Sequence, residues 1–305
     1  MKPLNVISIF GPTASGKTKC AIEIARQLNG SVVNFDSLQW YQGLPLLSAK
    51  PSESELKQAP HYLYDHRSYD HKGSVADWLL DVEQCIDQNR LDDGWIIMVG
   101  GTGFWLNCFL HGLSSIPLMT DQTVLKVDNI FNNLEFQDFK NHVFQIDPLL
   151  IEHNPPQDPQ RLKRALAIKL QTGLSIREYQ GNRAQKFNFN SIISCVLNPD
   201  KEVLERKIIH RINIMIEQNV IQEAADFEKN VPNIRCPTKH ALGYWSILDY
   251  LQNKISLDVL KEQITIETRQ YAKRQRTWLK SKFPNALDLS QDLNYLWEQI
   301  RLFNH

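Results

Sequence analysis

The sequence predicts an α/β protein in which a parallel sheet is covered by helices and interrupted by a helical insertion domain. Three observations predict this class. A glycine-rich motif lies between a strand-like and a helix-like segment within the first 25 residues. Apolar, strand-like runs alternate with helical periodicity over the first hundred residues, as in βαβ units. From Pro117 to about Lys186 the sequence is polar, helical and rich in proline, and a strand-like run returns only at Ser191.

The glycine-rich motif at residues 11–18 fits G-x-x-x-x-G-K-[ST], and it has the strand before it and the helix after it that this motif requires. Glycines let the backbone curl so that N–H groups point at anionic oxygens, and the helix start adds its positive dipole end. Lys17 can reach an outer phosphate, and Thr18 can hold Mg²⁺. We therefore predict a P-loop, nucleotide-kinase-like fold whose phosphate site comprises Gly11, Pro12, Thr13, Ala14, Ser15, Gly16, Lys17 and Thr18.

The remaining elements follow from apolar periodicity. Strands are predicted at 6–10, 31–35, 95–99 and 191–197, and helices at 20–25, 74–85, from about 200, at 256–282 and at 293–303. Leu204, Ile208, Ile212 and Ile216 recur every four residues and predict a buried helix stripe. These elements divide the chain into a core domain, residues 1–117 with 187–305, and an insertion domain, residues 118–186.

Composition is that of an ordinary globular protein, with 305 residues, 42% hydrophobic and 22% charged residues, and a formal net charge of zero. No apolar run approaches the length of a membrane span. Five cysteines without a C-x-x-C pair favour free thiols in a reducing compartment, and we expect a cytoplasmic protein. The spacing of His61, His66 and His71 does not place them on one face of a helix or strand, so a zinc site there is not expected.

The acidic residue expected at a nucleotide-hydrolase site is missing after the 95–99 strand, which ends in Gly100-Gly101-Thr102-Gly103. An acid follows the 31–35 strand instead, at Asp36. Strand ends meet at one edge of a doubly wound sheet, so Asp36 can face the phosphate loop and deprotonate a nucleophile. A helix N-cap is an equally common role for aspartate, and residue type alone leaves both open.

The helix at 256–282 carries cations at offsets 0, 4, 7 and 11, namely Arg269, Lys273, Arg276 and Lys280. They line one face over roughly 16 Å at helical rise. Such a stripe is suited to the phosphates of a nucleic acid. A solvated helix face is the alternative, and on composition alone it is the more frequent outcome.

Taken together, the motifs resemble those of the tRNA dimethylallyltransferases, also called tRNA isopentenyltransferases. The matching blocks run in family order over nearly the whole chain: residues 11–18, 36–41 with Gly43, 48–51, 60–63, 99–103, 158–166, Gly243-Tyr244 and 268–278. The form resembled is the bacterial one, because the chain ends at His305 without the zinc-finger cysteines of eukaryotic relatives. Trp105, Leu47, Gln42 and Leu125 depart from the family pattern without removing a proposed chemical group.

The resemblance implies an enzyme that transfers a dimethylallyl group from dimethylallyl diphosphate to the exocyclic amine of adenosine 37 in tRNA, with Mg²⁺ as cofactor. It implies catalytic roles for Asp36, Thr13 and Lys17. The insertion domain would contact the anticodon stem, and we expect a monomer without membrane association. The residues it implies for tRNA binding are Asp36, Ser37, Leu38, Gln39, Thr102, Gln160, Arg161, Leu162, Lys163 and Arg164, to which we add Arg269, Lys273 and Arg276.

Overall fold

The computed structural model describes residues 2–88, 91, 94–152, 154–181, 183–232, 236–290 and 294–303. The chain divides into two compact units, residues 1–110 with 187–305, and residues 111–186. The second unit starts seven residues before the predicted boundary at 118. The reason is that a short strand, β5 (Leu113–Ser114), pairs antiparallel with β6 (Arg183–Ala184) near the other end of the unit.

The first unit contains the predicted parallel sheet. Its strands among the described residues are β1 (Leu4–Phe10), β2 (Ser31–Asn34), β3 (His61–Tyr62), β4 (Trp95–Gly100), β7 (Phe189–Val196) and β8 (Leu287–Asp288). They lie in the order β3-β2-β4-β1-β7-β8 and pair in parallel. The central strand β1 is paired with β4 from Asn5↔Trp95 to Phe10↔Gly100. Parallel strands of this kind are buried on both faces, which explains their nearly continuous apolar runs.

Helices cover this sheet. Those of the first unit are α1 (Lys17–Leu28), α2 (Pro45–Ser48), α3 (Glu53–Leu56), α4 (Val75–Asp87), α5 (Gly103–His111), α11 (Lys201–Glu217), α12 (Val220–Asn230), α13 (Tyr244–Leu251), α14 (Leu257–Lys282) and α15 (Asn294–Phe303). The Ser74 side chain caps α4 in a reciprocal pair with Asp77, worth about 1 kcal/mol. No helix in the described part of the chain is both long and apolar enough to cross a membrane.

The predicted helix periodicity is confirmed with one adjustment. The α11 stripe buries Leu204, Ile208 and Ile212 as expected, but its last fully buried member is Met215 and not Ile216. Helix α15 buries Leu296 and Ile300, as its pattern predicts. The predicted first residue of that helix, Leu293, lies outside the described residues.

The second unit is helical, as its sequence predicts. Its helices in the described ranges are α6 (Asp121–Asn132), α7 (Phe136–Ile146), α8 (Leu149–Glu152), α9 (Pro159–Thr172) and α10 (Ile176–Gln180). They enclose a core of their own, in which the buried side chains include Val127, Phe139, Val143, Leu150, Leu162 and Leu166. Because this core is complete within the unit, the unit is a separate packing entity.

Candidate active site

The carboxyl ends of β1, β2 and β4 meet at one edge of the sheet, where ligands bind in open parallel sheets. A cavity of about 610 Å³ lies there. Its walls come from the phosphate loop, the segment after β2, and helices α11 and α14. The polar and charged side chains in the wall include Thr13, Lys17, Thr18, Asp36, Ser37, Gln39, Lys207, Arg211, Tyr271, Arg274 and Gln275.

The phosphate loop has the backbone shape that its sequence predicts. Gly16 is the N-cap of α1 with φ 101°, a left-handed conformation that glycine adopts at little cost. Gly11 leaves no room for a side chain, since a Cβ there would lie 2.4 Å from the carbonyl oxygen of Leu197. The first N–H groups of α1 have no partner within the helix, so they remain available to an anion.

Lys17 lies over this loop, and its Nζ donates to the carbonyl of Pro12 at 2.8 Å. Burial lowers the pKa of Lys17 to about 8. The charge of Asp36 opposes this shift, and the charge of Arg211 adds to it. An anion bound in the loop would raise the pKa of Lys17 again and favour its charged form. The side chain is therefore placed to bind a phosphate group.

Asp36 faces the same cavity from the end of β2. Burial raises the pKa of its carboxyl, against opposing hydrogen bonds from the Leu38, Gln39 and Gly101 backbones and the charge of Lys17. Its Oδ1 accepts from the Leu38 N–H at 3.0 Å and thereby closes a turn. The helix N-cap considered from the sequence is wrong, because the residues after Asp36 form a turn and not a helix. The carboxylate does face the cavity, and its role as a proton acceptor stays a prediction.

Residues next to Asp36 hold the surrounding loops in place. The Ser37 N–H donates to the hydroxyl of Thr102 at 3.0 Å, and that hydroxyl donates to Ser37 Oγ at 3.1 Å. The amide nitrogen of Gln39 donates to the carbonyls of Ser48 and Ala49 at 3.0 and 2.8 Å. The ends of β2 and β4 are thus joined through two hydroxyl side chains.

Two cavity residues that bond to the phosphate loop were missed in the sequence. Arg211 on α11 donates from Nη1 to Thr13 Oγ1 at 2.7 Å. Gln275 on α14 accepts from the Thr13 N–H at 2.9 Å. Arg211 lies next to the apolar stripe of α11, and Gln275 lies within the apolar stripe of α14. A polar residue at such a position is the feature of the sequence that could have identified each of them.

The predicted basic face of α14 is partly engaged within the protein. Arg269 pairs with Glu205, and Arg276 donates to the carbonyl of Pro199. Lys273 is exposed. Arg274, which was not assigned to the face, lies over the Tyr271 ring at 5.6 Å and lines the cavity. Arg269 and Arg276 therefore have partners within the protein, and contact of this stripe with nucleic acid stays a prediction.

Helix α9 of the second unit carries the predicted tRNA-binding run 160–164. Gln160, Arg161 and Arg164 are exposed. Lys163 pairs with Asp128. Leu162 is fully buried in the core of this unit, so its side chain is not available for contact with tRNA. Five consecutive residues make more than one turn of a helix, so in an amphipathic helix at least one of them lies on the buried face.

Two residues that depart from the family pattern have different surroundings. Leu47 is buried and lines the cavity, so its size affects the space available there. Trp105 packs in the core, with its ring centroid 5.3 Å from that of Trp40 and 5.2 Å from that of Trp78. Of these two residues, Leu47 is therefore the one that lines the cavity.

Groups of three or more metal-ligating His, Cys, Asp or Glu side chains do not occur in the described part of the chain. Of the three histidines considered, His61 contacts the carbonyl of Ala59 at 2.8 Å, and His66 pairs with Asp81 at 3.3 Å. Thr18, in the first turn of α1, lines the cavity and supplies a hydroxyl oxygen. Oxygen donors with few protein ligands are suited to Mg²⁺ that is held jointly with a substrate phosphate.

Comparisons with known proteins agree with this geometry. The sequence profile of the IPP transferase family matches residues 39–282. A tRNA dimethylallyltransferase of Ehrlichia ruminantium (strain Welgevonden) is 36% identical over 286 residues, covering 93% of this chain and 94% of the relative. The crystal structure of a tRNA isopentenylpyrophosphate transferase from Bacillus halodurans has a TM-score of 0.66 and 28% identity, covering 98% of this chain and 94% of its own. A eukaryotic dimethylallyltransferase acting on tRNA has a TM-score of 0.74 over 90% of this chain and 70% of its own, and at 24% identity it shows likeness of fold alone.

Proposed function

The chain belongs to the IPP transferase family, and from that premise we propose that it transfers a dimethylallyl group from dimethylallyl diphosphate to the N6 amine of adenosine 37 in tRNA. The products are N6-dimethylallyladenosine and diphosphate. The observation that carries the proposal is the cavity in which a phosphate loop and a buried carboxylate face the same space. The loop can hold the leaving group, and the carboxylate can accept a proton within the same cavity.

The phosphate loop binds the diphosphate of the donor. The N–H groups at the start of α1, the amine of Lys17 and the guanidinium of Arg211 supply the donors and positive charge. Negative charge develops on the diphosphate as the bond between C1 and oxygen lengthens. Groups fixed in place before the reaction stabilise that charge without reorganisation, which is where a large part of the rate enhancement arises.

Asp36 accepts the proton of the nucleophile. The N6 lone pair attacks C1 of the allylic chain, the C1–O electron pair leaves with the diphosphate, and an N6 proton moves to the carboxylate. The raised pKa of Asp36 makes it a stronger base than an exposed aspartate. A base within an RNA loop must leave its stack to reach such a pocket.

A magnesium ion fits the oxygen donors of this site, and Thr18 would hold it together with the diphosphate oxygens. When bound, the ion would neutralise charge on the leaving diphosphate. Lys17 and Arg211 act on the same charge, so leaving-group stabilisation is shared between the ion and the protein.

For the tRNA substrate we propose contacts from both units. Near the cavity, Asp36, Ser37, Leu38, Gln39 and Thr102 would surround the target nucleotide. The exposed Gln160, Arg161 and Arg164, with Lys163, would contact the anticodon stem through the second unit. Lys273 and Arg269 would contribute charge to phosphate binding. We also propose that the enzyme acts as a monomer in the cytoplasm.

Three other functions make different predictions. An adenylate isopentenyltransferase would prenylate AMP, a small-molecule kinase would consume ATP, and a non-catalytic RNA-binding protein would bind tRNA without a product. The purified protein should be incubated with dimethylallyl diphosphate and Mg²⁺ in the presence of unmodified tRNA or of AMP, and nucleosides analysed by mass spectrometry. We expect N6-dimethylallyladenosine in tRNA alone. Prenylated AMP, or ATP consumption without prenyl transfer, would contradict the proposal.

Loss of the protein from cells provides a second test. Bulk tRNA from cells that lack it should contain no N6-dimethylallyladenosine, and the modification should return when the wild-type protein is expressed. A Lys17→Met variant, which keeps the side-chain length and loses the charge, serves as the control that should not restore the modification. Unchanged modification in the deletion strain would contradict the proposed function.

A further inference from the structure

Gln275 is a polar residue on the buried face of α14. It is 6% exposed, and the helix buries Ile264, Ala272 and Leu279 on the same side. Burying an amide costs free energy unless its donors and acceptors are satisfied. The partners of this amide therefore indicate why a glutamine is found where the helix pattern predicts an apolar residue.

The amide of Gln275 joins two loops of the cavity. Its Oε1 accepts from the Thr13 N–H in the phosphate loop at 2.9 Å, and its Nε2 donates to the Gly101 carbonyl after β4 at 3.1 Å. The approach needs a glycine, because a Cβ at Gly101 would lie 2.4 Å from Nε2 and 2.9 Å from Asp36 Oδ2. One side chain thus holds the loop for the leaving group and the backbone next to Asp36.

The Gly101 peptide continues this chain of hydrogen bonds. Its N–H donates to the carboxylate of Asp36, while its carbonyl accepts from Gln275. Hydrogen bonds in series polarise one another, so a donor at the carbonyl strengthens the N–H at the other side of the peptide group. The series runs from Thr13 through Gln275 and Gly101 to Asp36.

We infer that Gln275 is a positioning residue of the transfer reaction, because its amide fixes the phosphate loop and the Gly101 peptide relative to each other and so sets the distance between leaving group and base. This inference rests on the proposed function. Gln275 acts through Thr13 and Asp36 and takes no proton itself. A misplacement of about 1 Å between reacting groups can cost on the order of a hundredfold in rate.

The charge environment of Asp36 comes from several elements. Lys17 of α1 and Arg211 of α11 bring positive charge, and Tyr64 and Tyr271 lie close enough for their pKa values to be raised by the Asp36 charge. Lys17, Arg211 and Tyr64 are unchanged by substitution at Gln275, whereas a side-chain hydrogen bond from Gln275 lowers the pKa of Tyr271. A shift in the titration of Asp36 after such a substitution would therefore come from the Gly101 hydrogen bond or from the altered surroundings of Tyr271.

The test compares Gln275→Met and Gln275→Glu with wild type, and uses Gln270→Met as the matched control because Gln270 is an exposed glutamine on the same helix. Methionine keeps the volume and loses both hydrogen bonds. Glutamate keeps the acceptor for Thr13, and regains a donor for Gly101 only when protonated. Single-turnover rates with saturating dimethylallyl diphosphate are measured across pH and over a range of tRNA concentrations, with circular dichroism and Tm recorded for each protein.

We expect Gln275→Met to lower the maximal rate roughly 10- to 100-fold with little change in KM for tRNA. Its rate relative to wild type should fall further at low pH, because a weaker Gly101 N–H raises the pKa of Asp36. The relative rate of Gln275→Glu should instead rise at low pH, as protonation restores the donor. Gln270→Met should match wild type.

A Gln275→Met rate within about twofold of wild type, or a loss that is equal at every pH, would overturn the inference. The Met variant decides the question even if burial of a charge prevents Gln275→Glu from folding. Absence of transfer by both wild type and Gln270→Met would instead overturn the proposed function, and with it this inference. The two failures are therefore distinguishable in one experiment.

Discussion

Arg211 on α11 donates a 2.7 Å hydrogen bond to the hydroxyl of Thr13 in the phosphate loop, 198 residues earlier in the chain. The contact brings a second cation to the phosphate loop, where burial lowers the pKa of Arg211 and the charge of Asp36 opposes that shift. A phosphate loop has one cation, its lysine, within its own motif. Under the proposed function, Arg211 would therefore stabilise charge on the leaving group from a second part of the chain.

Arg211→Gln should weaken diphosphate binding by roughly 10- to 100-fold, the scale of a charge-assisted hydrogen bond. Thr13→Val removes the same hydrogen bond and keeps the positive charge, so it should have a smaller effect. Titration calorimetry with diphosphate and Mg²⁺ measures both. Arg206→Gln, at an exposed position of α11, is the control and should bind as wild type does. Equal losses from Arg211→Gln and Thr13→Val would show that the charge is unimportant.

Asp36→Asn should reduce turnover at least about a hundredfold, the contribution expected of a general base. Asparagine keeps an oxygen that can accept from the Leu38 N–H, so the turn is retained while the proton acceptor is lost. Affinity for tRNA should change little. Rapid-quench assays and tRNA binding, with exposed Asp70→Asn as control, test this. Turnover close to that of wild type would remove Asp36 from the mechanism.

The same Asp36→Asn substitution should stabilise the fold at neutral pH. The folded pKa of Asp36 is raised above its unfolded value by burial, so the free energy of unfolding falls as pH rises from the unfolded pKa to the folded pKa and stays lower above it. Below the unfolded pKa, about 3.9, both states hold the proton and this penalty vanishes. Urea unfolding across pH should show the gain of the variant growing as pH rises. A gain of the same size at acidic pH would contradict the assignment to ionisation.

Diphosphate binding should weaken as pH rises through about 8, because Lys17 must be protonated to attract the anion and burial lowers its pKa to about 8. The bound anion favours the charged amine, so the alkaline limb in the complex should lie higher than in the free enzyme. Lys17→Met should bind weakly at every pH without this limb. The Cys20 thiol, with its pKa raised to about 11, titrates above this window. A limb near pH 8 that persists in Lys17→Met would refute the assignment.

Lys273→Gln should weaken tRNA binding and reduce the slope of log K against log salt by roughly 0.7 to 0.9, as for one lost phosphate contact. Arg276→Gln should lower Tm instead, because that guanidinium bonds the Pro199 carbonyl. Filter binding at several salt concentrations and thermal unfolding separate the two effects. Lys229→Gln, an exposed lysine on α12, is the control. An unchanged slope in Lys273→Gln would exclude this lysine as an RNA contact.

The phosphate loop and the position of Asp36 could be predicted because both follow from local rules. The motif at 11–18 is contiguous, and the parallel sheet brings the residue after β2 to the edge where β1 ends. The position of Asp36 at the cavity therefore follows from strand order alone. Its environment was not, because the burial that raises its pKa depends on α11 and α14, more than 160 residues later in the chain.

Arg211 and Gln275 could not be found in the same way. Helical periodicity shows which residues share a face, but it does not show what that face meets. Gln275 lies in the stripe with Ala272 and Leu279, so its partners depended on how the helix crosses the sheet. The same limitation explains Arg276, which shares a face with Lys273 and yet bonds a backbone carbonyl.

The sheet order of the first unit has a consequence during protein synthesis. Strand β1 pairs on one side with β7, which begins 179 residues after β1 ends, counting from Phe10 to Phe189. At about 5 to 20 residues per second, the nascent chain exposes an unpaired apolar edge for on the order of 10 to 40 s. The helices of the second unit emerge within that interval and need only local contacts to fold. A nascent chain on a ribosome stalled before β7 would therefore expose the unpaired, apolar edge of β1, which is prone to aggregation. We expect these stalled chains to depend on holdase chaperones.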